Sequence, residues 1–302
     1  MLLTGGTGFV GGRLARRLLA QRRPLRLLAR RPEKVPEDLR AGAEVVPGDI
    51  RDADSLSRAV EGTAAVIHLV GIIREGRGAS FRRVHVEGAE QIVRACRQTG
   101  VKRYLHMSAL GARAGAASEY HRTKWEAEEV VRASGLEHTI FRPSVIFGEG
   151  DEFVNRLVAI ARRAPVIPII GDGLRLLQPI WIEDVVSCFV QSLSNPQTIG
   201  ETYELGGPEA LGLIEIMAMI RRRLGSSKPM VRLPVWLLRP PAWAMQLLLR
   251  NPPLTGEQLS LLQEDSVCDL APVEHAFELA WRRLGTYLEE LLPSAAAVAD
   301  RS

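Results

Sequence analysis

The chain has 302 residues, a net charge of +4, 46% hydrophobic residues and 25% charged residues. This length suits one large α/β domain or a domain with a smaller appendage, and the balance is that of a globular protein. The charge is small and no basic run is interleaved with aromatics, so no nucleic-acid partner is expected, although abundant arginine permits attraction to anionic lipids or a phosphorylated cofactor.

The chain opens on Met1-Leu-Leu-Thr-Gly-Gly-Thr-Gly-Phe-Val-Gly11. A few apolar residues run into Gly5, Gly8 and Gly11, and an amphipathic run follows from Arg13. Strand, glycine turn and helix in that order are what a dinucleotide-binding βαβ unit needs. Gly5 permits a tight turn with positive φ, Gly8 lets backbone approach a pyrophosphate, and Gly11 lets the helix pack near the strand. The N–H groups of the first helical turn then face the phosphate, and the helix dipole favours its charge. The candidate cofactor-binding residues of this stretch are Thr4, Gly5, Thr7, Gly8, Phe9, Val10 and Gly11. The strand is short, Met1 to Thr4, which leaves open a natural start some residues earlier. No charged segment with an apolar core precedes the motif, so no signal peptide is expected.

Leu25 to Ala29 reads as a second strand, followed by Arg30-Arg-Pro-Glu-Lys34. An acidic residue near this point ordinarily holds the ribose 2′-hydroxyl of NAD. Arginine stands here instead, and the Arg30 guanidinium suits a 2′-phosphate, so NADP(H) is favoured and NAD(H) is the alternative. Glu44 to Val46 is a third strand. In the Pro47-Gly-Asp-Ile50 that follows, Asp49 is placed to accept from an adenine amino group while Ile50 covers the ring. Asp52 to Val60 reads as a capped helix. Ala64 to Val70 is a near-continuous apolar run, as a strand buried on both faces should be. It ends in Gly71-Ile72, so Val70 and Gly71 are expected beside the cofactor.

Phe81 to Gln98 has helical period and ends at Gly100. Arg103 to Met107 is a fifth strand closing at Ser108, Ser118 to Ala133 a helix, and Glu137 to Arg142 a sixth strand closing at Pro143. This alternation predicts a parallel sheet with right-handed crossovers. Beyond Gly148 it loosens: a helix over Phe153 to Arg163, an edge strand or extended loop at Pro165 to Ile170, and a helix entered through Gln178 to Asp184. Thr202 to Leu205 is a short strand, and Leu211 to Leu224 an amphipathic helix. Met230 to Arg250 is apolar, carries Trp236 and Trp243, and is broken by Pro234, Pro240 and Pro241. A spanning helix needs roughly 20 predominantly apolar residues, and the prolines argue against one. The segment suits a membrane surface, a partner, or a pair of short helices over a substrate cleft. The tail from Leu291 is expected to fray.

Tyr120-His-Arg-Thr-Lys124 carries the chemistry. Tyr and Lys four apart on a helix share one face. A nearby ammonium stabilises the phenolate and lowers the Tyr pKa, so Tyr120 can pass a proton to or from a carbonyl oxygen during hydride transfer. Ser108, ending the preceding strand, is the candidate to orient a substrate oxygen. The catalytic candidates are therefore Tyr120, Lys124 and Ser108, with Lys124 also reaching a cofactor ribose. His68, His85, His106, His121, His138 and His275 show no metal spacing, and no metal is expected. Cys96, Cys188 and Cys268 form no disulfide or metal pattern, so reduced thiols in a cytoplasmic protein are expected.

Together, Thr4-Gly-x-x-Gly-x-x-Gly11, Gly48-Asp-Ile50, Tyr120-x-x-x-Lys124 and Arg142-Pro-Ser-Val-Ile-Phe-Gly148 resemble the extended, atypical short-chain dehydrogenase/reductases. Gly148 to Asn155, Gln178 to Val185 and Leu254 to Leu259 are similar to the branch holding the nucleotide-binding accessory subunit of respiratory complex I. The resemblance covers nearly the whole chain. It implies an α/β fold: a Rossmann-type doubly wound parallel sheet of about seven strands with a smaller C-terminal substrate lobe. The implied division is a nucleotide-binding domain over 1–150, a lobe over 151–290 interleaved with the core, and a flexible tail over 291–302.

By matching positions, Gly5, Gly8 and Gly11 hold the pyrophosphate, Asp49 and Ile50 the adenine, and Pro143 to Val145 flank the nicotinamide. Two departures stand out. The loop between Ser108 and Tyr120 is shorter than in sugar-nucleotide epimerases, and the catalytic Ser/Thr position of the family falls on Ser108 or Ala109. Three functions follow. One is an oxidoreductase using Tyr/Lys acid–base chemistry on a lipophilic carbonyl or quinone-related small molecule. The second is a non-catalytic, nucleotide-stabilised accessory protein of a membrane-associated respiratory or quinone-biosynthesis complex, contacting it through 230–250 at the inner face of the membrane. The third is a sugar-nucleotide epimerase/dehydratase.

Overall fold

The computed structural model describes residues 1–76, 78–238, 240 and 255–292. The chain forms two compact units that interleave in sequence. One comprises Met1–Pro143, Ile182–Leu205 and Leu270–Leu279; the other comprises Ser144–Trp181, Gly206–Asp269 and Ala280–Ser302.

The first unit is built on a seven-stranded sheet. Its strands are β1 (Leu2–Thr4), β2 (Arg26–Ala29), β3 (Glu44–Pro47), β4 (Ala65–His68), β5 (Arg103–Met107), β6 (Glu137–Pro143) and β7 (Thr202–Leu205). Every pairing is parallel, and the spatial order is β7-β6-β5-β4-β1-β2-β3. β1 and β4 are central, and β4 is buried along its whole length, as its Ala-Val-Ile-His sequence requires of a strand covered on both faces. The register aligns Thr4 with His68 and His68 with His106 across three neighbouring strands.

The flanking helices are α1 (Phe9–Ala20), α2 (Glu37–Gly42), α3 (Ala53–Val60), α4 (Gly88–Thr99), α5 (Glu119–Arg132) and α6 (Ile182–Ser192). Local signals set their ends. The Asp52 carboxylate accepts from Asp54 N at the start of α3, and the Ser118 hydroxyl accepts from His121 N at the start of α5. Gly100, with φ +76°, closes α4 in the left-handed conformation.

Several boundaries differ from the sequence reading. α1 begins at Phe9 rather than Arg13, so Gly11 lies inside its first turn. β4 stops at His68, two residues before Val70, and the chain continues irregularly. α2 was not predicted; six residues with one buried apolar side chain, Leu39, leave little periodicity to read. The helix predicted over Phe81 to Gln98 opens with a π-helical turn at Arg82–Glu87 before α4 starts at Gly88. Such wide turns recur at functional sites, and this one carries His85.

The second unit has its own core, in which Phe147, Val154, Val158, Ile167, Ile216 and Leu288 are packed together. Helices Phe153–Arg163, Leu213–Arg223 and Leu284–Leu291 supply most of it. Leu211 and Gly212 form a two-residue strand, and the helix starts at Leu213 because the Glu215 carboxylate accepts from Gly212 N at 2.7 Å. Met230–Leu233 is a strand, paired parallel with Ile167–Ile170. Of the predicted Met230 to Arg250 segment, Arg239 and residues 241–250 with Trp243 lie outside the described residues, as do residues 293–302 of the tail.

Candidate functional site

Strand order locates a site independently of any motif. From β1 the chain builds outward through β2 and β3, then returns to place β4 on the other side of β1. Ligands in such sheets bind in the crevice beyond the carboxyl ends of the strands where the order reverses. Gly5 leaves β1 at that point with φ +76°, and a Cβ there would lie 3.2 Å from the Leu69 carbonyl carbon beyond β4. Gly11 is tighter still, since a Cβ would lie 2.1 Å from Gly5 O. Gly8 caps α1, its N donating to Gly5 O at 2.9 Å and its O accepting from Gly12 N at 2.8 Å. No side chain caps α1, and its first turn holds no acidic residue. A helix start so arranged suits a phosphate. Thr7 and Gly8 are exposed, Phe9 is half-buried, and Val10 is turned into the core. Thr4 is fully buried, with Oγ1 2.8 Å from His68 Nδ1, so its hydroxyl is engaged inside the sheet layer.

The carboxyl end of β4 leads to Gly71, and Lys124 meets it there. The Lys124 Nζ lies 2.8 Å from where a Gly71 Cβ would sit, and it donates to Met107 O at 3.0 Å. Lys124 is only 3% exposed, and burial lowers its pKa to about 8, opposed by the Glu128 carboxylate one helical turn away. Tyr120 sits one turn earlier on α5, edge-on to Phe81 at 5.9 Å and to His85 at 5.6 Å. Burial pushes its phenol up to about 12. This corrects the expectation that Lys124 lowers it: desolvation dominates, and the ammonium is held by the Met107 carbonyl.

His85 joins this pair, a role its spacing among the other histidines did not reveal. Its Nδ1 lies 2.9 Å from Thr123 Oγ1, and its Nε2 3.1 Å from Ile72 N and O. The Thr123 hydroxyl donates to helix carbonyls at Glu119 and Tyr120, so it accepts from Nδ1–H, leaving Nε2 to accept from Ile72 N. Burial and the Lys124 charge lower the His85 pKa to about 2 and keep the ring neutral. His85 thus ties α5, through Thr123, to the chain after β4, with its ring against Tyr120. The sequence signal that could have found it is a histidine in the turn just N-terminal to Gly88.

Ser108 continues β5, its N donating to Phe141 O at 2.7 Å. Its Oγ is buried without a protein partner. Pro143 is buried at the end of β6, and its O accepts from Leu110 N. Val145 belongs to the second unit, where it packs on that unit's core and accepts from Ile180 N.

At the outer side of the crevice, Asp49 is held by Arg51. Two guanidinium nitrogens reach its oxygens at 3.0 and 2.7 Å, and Arg51 N donates as well. The Arg51 bond is the largest cause that keeps the Asp49 carboxyl below its usual range, and Arg30 adds to it at longer distance. Arg51 also donates to Gly78 O. Ile50 is buried in the sheet's apolar cluster, against Gly88. Val70 is half-buried, whereas Gly71 and Arg30 are exposed. Among the described residues no group of three or more His, Cys, Asp or Glu is placed to hold a metal ion.

The glycine cradle, the uncapped α1 and the unpartnered Ser108 hydroxyl fit a pyridine dinucleotide. Comparison with known proteins agrees. Residues 5–161 match the NAD(P)H-binding family and residues 112–241 the RmlD substrate binding domain. The 40 kDa subunit of NADH-ubiquinone oxidoreductase from Neurospora crassa is 29% identical over 88% of this chain and 71% of its own length. The Arabidopsis thaliana NADH dehydrogenase [ubiquinone] 1 alpha subcomplex subunit 9 is 31% identical over 76% of this chain, which spans only 59% of that protein. A ceramide reductase from Caulobacter vibrioides is 32% identical over 77% of this chain and 73% of its own length. A dTDP-glucose 4,6-dehydratase from Streptomyces venezuelae, solved with NAD bound, superposes with a TM-score of 0.72 at 21% identity, covering 99% of this chain and 96% of its own. The chain belongs to the NAD(P)H-binding, epimerase/dehydratase-like family of short-chain dehydrogenase/reductases, with relatives among the complex I accessory subunits.

Proposed function

We propose that the chain is an NADP(H)-dependent reductase of a lipophilic carbonyl or quinone-related small molecule. The observation that carries this reading is the seating of Lys124 against Gly71 at the sheet's switch point, with Tyr120 one turn away on the same helix. Gly5, Gly8, Gly11 and the start of α1 would hold the pyrophosphate, and Arg30 the 2′-phosphate. When bound, the coenzyme supplies the hydride. Tyr120, protonated at neutral pH because burial raises it to about 12, donates its proton to the carbonyl oxygen. Lys124, charged below about pH 8, opposes the negative charge then left on the phenol oxygen. His85 fixes α5 against the chain after β4 and so sets where both groups stand. The relative named a ceramide reductase supports a lipophilic substrate. The proposed location is the cytoplasm, peripheral to the inner face of a membrane; among the described residues no helix is long and apolar enough to cross one.

The test is stopped-flow oxidation of NADPH with long-chain ketones and quinones. Tyr120→Phe is expected to slow turnover by about 10²–10⁴-fold while calorimetric NADPH affinity stays unchanged. Equal rates in parent and variant would remove Tyr120 from the mechanism.

A second reading is favoured by the raised phenol and by relatives that are respiratory-complex subunits. Here the nucleotide orders the fold of an accessory protein and does not react. NADPH then raises the melting temperature by mass action, and no carbonyl is turned over.

A further inference from the structure

Nine large apolar side chains are exposed among the described residues, and seven of them belong to the second unit. They gather on connected elements. Val231 lies on the strand paired with Ile167–Ile170, at whose entry Val166 is exposed. Gly171 then donates to Leu233 O at 2.9 Å and turns beneath Val235. Leu176 O accepts from Ser266 N at 2.7 Å, which sets Val267 beside it. Trp236 is 71% exposed, Leu237 49% and Val231 38%.

Charge singles out one occupant for this face. Residues 216–256 contain seven Lys or Arg and no Asp or Glu. Some of these cations are spent internally: Lys228 Nζ donates to Ala161 O and Arg162 O, and Arg223 pairs with Glu289. Arg232 is exposed between Val231 and Leu233, four residues before the exposed Trp236. Outside that stretch, Asp172 accepts from Leu174 N at 2.9 Å, and Asp265 has Arg175 within 4.0 Å and accepts from Leu176 N. Arginine beside tryptophan and aliphatic side chains, without acids, is the composition of a segment lying in the interface of an anionic bilayer.

We infer that the second unit docks on the surface of an anionic lipid bilayer through Val231, Arg232, Trp236 and Leu237. The docking brings the protein to where a lipophilic substrate or membrane complex resides, but it requires no bound coenzyme, so it stands or falls apart from the proposed reduction.

The test is flotation of the full chain with extruded vesicles, either pure phosphatidylcholine or an equimolar mixture with phosphatidylglycerol. The parent is expected to float with the mixed vesicles and to be released by high salt. Removing one surface cation by Arg232→Ser should weaken binding about fivefold, and Trp236→Ser should weaken it further. Both side chains are exposed, so melting curves and NADPH affinity of the variants should match the parent. Failure of the parent to float with mixed vesicles overturns the inference, as does flotation unchanged in both variants. Trp236-dependent self-association without flotation overturns it too, and would give the face to a second copy of the chain.

Discussion

Three imidazoles buried in the first unit make its stability acid-sensitive. Desolvation lowers the pKa of His68 from 6.5 to about 3 and that of His85 to about 2, and pushes His106 well below its ordinary value. Lys124 adds to all three shifts. His68 and His106 stack at 5.6 Å, and neither ring nitrogen of His106 has a protein partner. Because the folded pKa lies below the unfolded one, the unfolded chain takes up protons first. Stability is therefore full above about pH 6.5 and falls as acid is added towards the folded values. Between pH 7 and pH 5 an unfolded imidazole of ordinary pKa gains about 2 kcal/mol by protonation that these rings forgo. That figure is insensitive to whether the folded value is 2 or 3, since both lie far below 5. His68 and His85 together cost about 4 kcal/mol, a large part of the ~5–15 kcal/mol typical of a folded protein, and the lowered His106 works in the same direction. Asp49 and Asp38, whose carboxyls are lowered, titrate below this window, and the raised Asp151 works in the opposite direction. Urea unfolding followed by circular dichroism at both pH values reads the effect as a midpoint lowered by on the order of 1 M. His106→Leu should reduce the pH dependence. A parent midpoint that is the same at pH 7 and pH 5 would refute the placement of these rings.

Two further outcomes follow from single contacts. Gly11→Ala places a methyl 2.1 Å from Gly5 O, so the turn must open; calorimetry should show NADPH binding lost, and an affinity within twofold of the parent would contradict the cradle. Glu128 is fully buried, holding Arg142 at 2.8 and 2.6 Å and Arg132 at 2.6 Å. Glu128→Gln should cost about 3 kcal/mol in urea unfolding, because it strands a half-buried guanidinium, and should move the Lys124 titration to lower pH. A loss under about 1 kcal/mol would show that Glu204 alone suffices for Arg142.

The parallel sheet was legible because each strand is short, apolar and bounded by a residue with its own physical signature. Thr4-Gly5 after β1 and Pro143 at the end of β6 are examples, whereas the end of β4 at His68, two residues short of Val70, was not legible. The spacing that points to NAD(P) binding has a steric reason at Gly5 and Gly11. What escaped the sequence was side-chain placement set by elements elsewhere in the chain. Nothing in Gly48-Asp-Ile50 announces that Arg51 folds back onto Asp49, or that Ile50 turns inward onto Gly88, because both depend on α4 and on the loop at Gly78. The π-helical turn was invisible because its apolar positions, Val84 and Val86, keep a nearly helical spacing. The phenol shift was missed for a different reason. Spacing puts Tyr120 near Lys124, but the sign of the shift depends on how much water reaches the hydroxyl, and that is set by Phe81 and His85 from another element.

That sign gives the chemistry a direction. A phenol raised from 10.0 to about 12 makes its anion roughly 3 kcal/mol costlier than in water. As a base at neutral pH it would be almost wholly protonated and inert, so withdrawal of a proton from an alcohol starts from a rare state. As an acid it is fully loaded, and its proton passes to an oxygen that becomes more basic as the carbonyl is reduced. The desolvation that weakens Tyr120 as an acid also strengthens its attraction to the Lys124 ammonium once charge develops, because Lys124 is buried and Tyr120 is partly shielded from water. Lys124 must then be charged when Tyr120 is neutral, and its value of about 8 against the phenol's 12 leaves a neutral-pH range in which both hold. In the proposed reductase, this order, ammonium below phenol, leaves Tyr120 loaded as an acid at neutral pH. It also separates the two readings of the site: in a reductase, carbonyl reduction fades as pH rises through about 8 while NADPH remains bound, whereas a purely structural nucleotide gives no rate to titrate.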